Sequence, residues 1–365
     1  MQKRIKSILI VAFVAASAGA WGQYEFKTKV DVTATEVKDQ CRTGTCWSYS
    51  TSSFLESEVA RISGQVVDLS EMVNVRYTYP LKAEKYLRYQ GKYQFGPGSL
   101  CHDVMNAVAG WGMAPQSAYT GLAEGETEHN HADMDAALLA TVEALVKKPA
   151  GKLSSNWRSV VGGILDSHIG PLPTEFTYEG KSYTPDQFRD YLGIVPSDYI
   201  NMTSFTHHPF GSSFILEVPD NFSQGEFYNV PIDDLQRAVE AALVAGYTVA
   251  WDADVSEKGF SFKNGMAILP DSDQMDKMWK EVVVEQEVTQ ASRQKDFEEQ
   301  TTTDDHLMHI TGMATDQNGE KYFVIKNSWG TGNKYGGKQY VSMPYFKSKT
   351  IAILVHKDAV KRIVR

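Results

Sequence analysis

The periodicity of this chain changes late, and that change limits its fold more than anything else in it. Between residues 307 and 356, short apolar runs alternate with turns. Ile310-Thr311-Gly312-Met313-Ala314 is followed by an Asp316-Gln317-Asn318-Gly319 turn, and Tyr322-Phe323-Val324-Ile325 then returns, which predicts a β-hairpin. Gln339 to Met343 and Ile351 to Val355 predict two further strands. Earlier in the chain the pattern is helical. Trp47, Leu55, Val59 and Ile62 share one helical face, and Ser63-Gly64 ends that helix. A second helix is predicted over Cys101–Gly110 and a third over Asp234–Val244, with Thr248 to Trp251 as a short buried strand after it. The segment from Lys280 to Thr303 is charged and poor in aromatics, so it reads as a solvated helix or loop. Helices early and strands late predict an α+β protein with segregated halves.

The amino terminus predicts export. Lys3, Arg4 and Lys6 precede a short apolar run from Ile8 to Ala16, and small residues follow at Ala18-Gly19-Ala20 and Ala20-Trp21-Gly22. This is the order of a secretory signal over residues 1–23. The run is shorter than a spanning helix needs, so no stable membrane anchor is expected. Removing three basic and no acidic residues takes the net charge from −9 to −12. The product is expected to be periplasmic or extracellular, and so acidic a surface excludes nucleic acid as a partner. Three cysteines, Cys41, Cys46 and Cys101, are too few for a disulfide framework and cannot all pair. Cys41 and Cys101 either bridge or stay as small buried thiols.

Three clusters carry chemistry. In Gln40-Cys41-Arg42-Thr43-Gly44-Thr45-Cys46-Trp47, Cys46 stands at the start of the first helix. There the helix dipole favours a thiolate and free backbone N–H groups face a developing oxyanion. Gln40 is placed to donate a second hydrogen bond to that oxyanion, and Gly44 permits a tight turn before the nucleophile. The other clusters are His309 at the first late strand and Asn327-Ser328-Trp329-Gly330 at the end of its hairpin partner. A thiol nucleophile needs an imidazole base, and the imidazole needs a group to hold its orientation. An Asn amide oxygen can do this without adding charge, and Trp329 can shield the bond from water.

Gln40, Gly44, Cys46-Trp47, His309 and Asn327 to Gly330, in that order, resemble the papain-like cysteine peptidases. Within them the chain is similar to the bleomycin hydrolase and aminopeptidase C branch. Softer echoes are Gly98 to Ala107, Pro171 to Leu192 and Val249 to Val255. The resemblance implies a two-lobed α+β fold with a helical insertion. The domain would span 24–356: a helical lobe over about 40–120, an insertion over about 121–295 and a β lobe over about 296–356, with 357–365 as a tail. It implies Cys46 as nucleophile, His309 as general base, Asn327 as its orienting partner, and Gln40 with the Cys46 N–H as oxyanion donors. His306 is the competing base; His309 is preferred because it lies against the strand that leads to Asn327, and His306 is assigned to a solvated loop with Asp304 and Asp305. Gly98 is the candidate for backbone contacts to substrate. The branch's long carboxy-terminal arm has no counterpart after Val360, so aminopeptidase and endopeptidase action both stay open.

The expected partners are peptide substrates, with a homo-oligomer left open, and no cofactor is implied because no phosphate-binding glycine loop follows a strand. No metal is expected either. Glu128-His129-Asn130-His131 reads as a flexible acidic loop, and His207-His208 before Pro209 as a turn. The rival to an enzyme is a catalytically silent scaffold of the same fold that binds peptides or a partner.

Overall fold

The computed structural model describes residues 24–364; the expected signal segment, residues 1–23, lies outside them. The helices are α1 (Cys46–Ser63), α2 (Glu71–Arg88), α3 (Cys101–Gly110), α4 (Ala132–Val146), α5 (Trp157–Ile169), α6 (Pro185–Leu192), α7 (Ile232–Val244), α8 (Gln290–Glu298) and α9 (Met343–Lys349). The strands are β1 (Lys27–Asp31), β2 (Phe176–Tyr178), β3 (Lys181–Tyr183), β4 (Tyr199–Thr203), β5 (Ser213–Ile215), β6 (Glu226–Asn229), β7 (Val249–Ala253), β8 (Phe260–Ser261), β9 (Met266–Ala267), β10 (His306–Thr315), β11 (Lys321–Lys326), β12 (Lys338–Ser342) and β13 (Thr350–His356). No helix among the described residues is long and apolar enough to cross a membrane.

One eleven-stranded sheet runs in the order β5-β6-β4-β13-β7-β10-β11-β12-β9-β8, and β1 also pairs with β10. The β10–β11 hairpin is antiparallel, as its turn predicted. The sheet is not confined to the last sixty residues, however. Strands β4 to β9 come from the segment expected to be a helical insertion, so a lobe boundary at 296 does not follow the sheet. Of these, β7 is the strand expected from Thr248 to Trp251; the others run only two to five residues, too short for a period of two to stand out against the flanking helices.

The sheet's alternation builds two cores. Leu307, Ala250, Ala352 and Leu354 point to the side of α1 to α6. Met308, Ile310, Trp251, Ile353 and Val355 point to the side of α7 and α9. Side chains on a strand leave alternate faces, so each central strand serves both cores. Helix α1 is buried from Cys46 to Val59, which explains its weak amphipathic signal. Its many hydroxyls tie it down: Ser48 Oγ donates to Glu71 O at 2.7 Å, Ser50 Oγ to Met308 O at 2.6 Å and Ser57 Oγ to Thr33 O at 2.9 Å. Gly64 ends the helix in the left-handed region, at φ 71°, with its N–H on Ala60 O.

The segment from Lys280 to Thr303 is only partly solvated. Within it, α8 buries Arg293 completely, and that guanidinium donates to Ser204 O, Lys347 O and Ser348 O. Helix α2 has no counterpart in the sequence reading; Pro80 inside it masks the pattern.

Candidate active site

Cys46 is the first residue of α1. Thr45, the residue before it, makes no side-chain cap bond; its Oγ1 pairs with Thr43 Oγ1 at 2.6 Å instead. The first-turn N–H groups of a helix have no acceptor within the helix, so the Cys46 N–H remains available to a ligand. Gly44 lies so close to Pro97 that a Cβ there would stand 2.5 Å from Pro97 Cγ. Trp47 Nε1 donates to Pro97 O at 3.0 Å, which fixes the same approach from the other side.

Gln40 joins this turn to the other half of the site. Its N–H donates to Ser328 O at 2.9 Å, its Oε1 accepts from Ser328 Oγ at 2.6 Å, and its Nε2 donates to Thr43 O at 2.8 Å. Asp39 also bridges to Trp329. The loop that carries Asn327 is therefore stitched directly to the loop that leads to Cys46.

The expected pairing of His309 with Asn327 is not formed; His306 takes that place. His306 Nε2 lies 2.8 Å from Asn327 Oδ1, and the His306 ring stacks on Trp329 with centroids 4.5 Å apart. The Asn327 amide is fixed from its other end, because its Nδ2 donates to Gln339 Oε1 at 2.7 Å and its Oδ1 also accepts from the Ser328 N–H. An accepting Oδ1 requires the proton on His306 Nε2, which leaves Nδ1 with the lone pair. His306 is 4% exposed rather than solvated.

His309 lies elsewhere. It is fully buried, its Nδ1 is 2.8 Å from Ser53 Oγ, and its Nε2 has no partner among the described residues. Ser53 is seven residues along α1 from Cys46, roughly 10 Å at helical rise. The strand register explains the exchange. His309 pairs with Lys326, so Asn327 leaves the opposite face of the hairpin. Extending that register places Trp329 across from His306 and Asn327 diagonal to it on the same face.

The electrostatics are those of a closed, neutral site. Burial pushes the Cys46 thiol up to about 12; the Leu307 N–H beside the sulfur opposes this, while Asp252, Asp304 and Asp220 add to it. Burial lowers His306 to about 4, against a smaller upward pull from Asn327 and Asp305. The helix start does not make Cys46 a resting thiolate, because desolvation outweighs it. Cys41 and Cys101 are both free thiols. Gly98 is at hand but covered: a Cβ there would stand 1.8 Å from Asp220 Oδ2.

Two other histidine clusters stand apart from this site; the turn expected at His207-His208 is present. His129 and His131 are buried rather than on a flexible loop, held through Arg42 N–H to His129 O and His131 N–H to Arg42 O. His207 and His208 converge on Glu217 at 3.1 and 2.9 Å. The Gln294 Oε1 is taken by the Thr206 N–H, so its Nε2 faces His207 Nδ1 at 3.0 Å. That arrangement puts the His207 proton on Nε2, making it a donor to Glu217 rather than a metal ligand.

A sequence model of the Peptidase C1-like family matches residues 174–364. Aminopeptidase G of Lactobacillus delbrueckii subsp. lactis is 23% identical over 361 residues, covering 88% of this chain and 80% of that protein. Aminopeptidase C of Streptococcus thermophilus is 29% identical over 189 residues, 49% of this chain and 40% of that protein. Among solved structures, PepW from Lactobacillus rhamnosis HN001 superposes with a TM-score of 0.71 at 15% identity, over 93% of this chain and 84% of that one. The fold is the α+β papain-like one.

Proposed function

The chain belongs to the Peptidase C1-like family and is a cysteine-type peptidase, and we propose that it acts as an exported thiol aminopeptidase working through an acyl-enzyme on Cys46. The observation that carries this reading is the His306–Asn327 pair under Trp329, stitched through Gln40 and Ser328 to the start of α1. His306 Nδ1 takes the thiol proton as sulfur attacks the scissile carbonyl carbon. The Cys46 N–H and the free hydrogen of Gln40 Nε2 receive the oxyanion. The imidazolium then gives its proton to the leaving amine, and water activated by the same nitrogen hydrolyses the thioester. Starting from neutral thiol and neutral imidazole, the proton moves with the attack rather than before it.

The names of the relatives, all aminopeptidases, support exopeptidase action. The basic, apolar and small-residue order of residues 1–23 supports export. Cys46→Ala should abolish turnover and thiol-epoxide labelling while the melting curve stays close to wild type; a variant that still cleaves peptides disproves the nucleophile. Products released one residue at a time from the amino end are expected, and internal cuts would refute the aminopeptidase assignment. Protein recovered outside the cytoplasm should begin after Ala20 or Gly22 on amino-terminal sequencing; protein confined to the cytoplasm with Met1 intact would count against export.

A further inference from the structure

Beside Cys46 lie three carboxyl groups that the reaction above does not use. Asp252 pairs in register with Leu307 on one side and Ala352 on the other, so its side chain leaves the same sheet face as theirs. That face packs on the core that contains Cys46. Asp252 is 1% exposed, and no N–H or hydroxyl among the described residues donates to either of its oxygens; the group that reaches them is the Asp304 carboxyl. Asp304, two residues before His306, shares a hydrogen bond with Asp252; the Asp220 N–H acts on its carboxyl, but its Oδ2 receives no N–H or hydroxyl among the described residues. Asp220, on the loop after β5, lies over Gly98 and accepts from Gln94 Nε2 at 2.7 Å. All three act electrostatically on the Cys46 sulfur.

Little positive charge answers them. Lys82 of α2 is the ammonium that faces Asp220; it also faces Asp103 of α3 and donates to Gly98 O. Asp305 is turned away, accepting from the Val255 and Ser256 N–H groups and from Thr303 Oγ1. The strongest electrostatic neighbours of Asp252 are Asp304, Asp220 and Asp305, all carboxylates. Burial and Asp220 hold the Asp304 carboxyl up to about 8, so at neutral pH the facing pair retains a proton. A buried carboxylate without donors is costly, and an entering cation with N–H donors relieves that cost.

We propose that Asp252, Asp304 and Asp220 form an anionic subsite beside Cys46 for a protonated substrate nitrogen, so that the enzyme selects peptides carrying a cation next to the bond it cuts. This rests on the peptidase reading for its biological meaning but not for its test. The nitrogen is either the α-ammonium of the substrate or a lysine or arginine side chain. Filling the site releases the shared carboxyl proton, so binding tightens with rising pH until the guest itself deprotonates. That limit falls near pH 8 for an α-amine and above 10 for lysine.

The test uses the full chain carrying Cys46→Ala, with binding followed by calorimetry. The probes are a norleucine-led tetrapeptide amide with a free amino terminus, its N-acetylated form, and the N-acetylated form with lysine in place of norleucine. The free-amine or the lysine form should bind about tenfold or more tightly than the acetyl-norleucine form, as charged hydrogen bonds to a buried acid imply. Which of the two gains, and where its pH profile turns over, identifies the source of the nitrogen. Asp252→Asn and Asp304→Asn should bring the three affinities together. Asp220→Ala, on a loop outside the sheet, gives the same readout if the buried variants fail to fold. Equal binding of all three probes, or a preference unchanged in the variants, overturns the proposal. A preference that persists while the wild type hydrolyses nothing would leave the subsite standing and remove the peptidase.

Discussion

Replacing each of the two strand histidines in turn separates catalysis from packing. His306→Ala removes the imidazole held by Asn327 and covered by Trp329. A positioned general base contributes about 10²–10⁴ in rate, so kcat/KM should fall by at least that range with little change in KM. It costs some stability as well, since a ring 4% exposed gives up a hydrogen bond and a stack, so the rate is read at a temperature where the variant is folded. His309→Ala does the reverse. The side chain is fully buried, stands edge-on to Phe54 and shares a hydrogen bond with Ser53. Its removal empties core volume and orphans the Ser53 hydroxyl, which costs about 2–4 kcal/mol. The variant should melt several degrees lower yet keep kcat within a few fold at a temperature where it is folded. Thermal melts, kcat/KM and the rate of thiol-epoxide labelling of Cys46 are measured on both proteins. A folded His309→Ala protein that has lost a hundredfold in rate, beside an active His306→Ala protein, would refute the assignment.

Two further perturbations probe the surroundings. Gly44→Ala places a Cβ 2.5 Å from the rigid Pro97 ring and strains the Trp47–Pro97 hydrogen bond, so it should cost about 1–3 kcal/mol and slow Cys46 labelling; an unchanged melting temperature would show that Pro97 yields freely. Glu285 is raised to about 7, chiefly by burial, with the Leu269 N–H and Ser342 Oγ pulling it down. A carboxyl raised above its unfolded value contributes stability in full below pH 4.5 and loses it as pH climbs through 7, up to about 3 kcal/mol for this shift. Glu285→Gln keeps one acceptor oxygen for both donors and cannot ionise, so its stability relative to wild type should rise between pH 5 and pH 8; a difference that is flat with pH would contradict the shift.

Cys46, Gln40 and Asn327, the residues proposed as nucleophile, oxyanion donor and orienting group, were legible because each is announced by local chemistry. Cys46 follows a glycine turn and opens a helix, Gln40 precedes that turn, and Asn327 ends a strand beside Trp329. The α+β class was legible from the late change of period, although the sheet also draws on strands from the middle of the chain. What could not be read was parity. His306 and His309 stand three apart on one strand, an odd separation, so they leave opposite faces and only one of them can share a face with Asn327. Deciding which requires the hairpin register, and a bulge between Ile310 and Gly312 shifts that register by one within the same hairpin. The flanking residues offer no help, since Leu307 and Thr311 on one face and Met308 and Ile310 on the other are all buried. The same parity places Asp252 opposite Leu307 on the Cys46 side. Had that strand slipped by one residue, its carboxyl would face the α7 side and Trp251 would crowd the nucleophile. The register of β10 and β11 therefore decides which histidine meets Asn327, and that of β7 and β10 decides which side Asp252 faces; neither is written in any single residue.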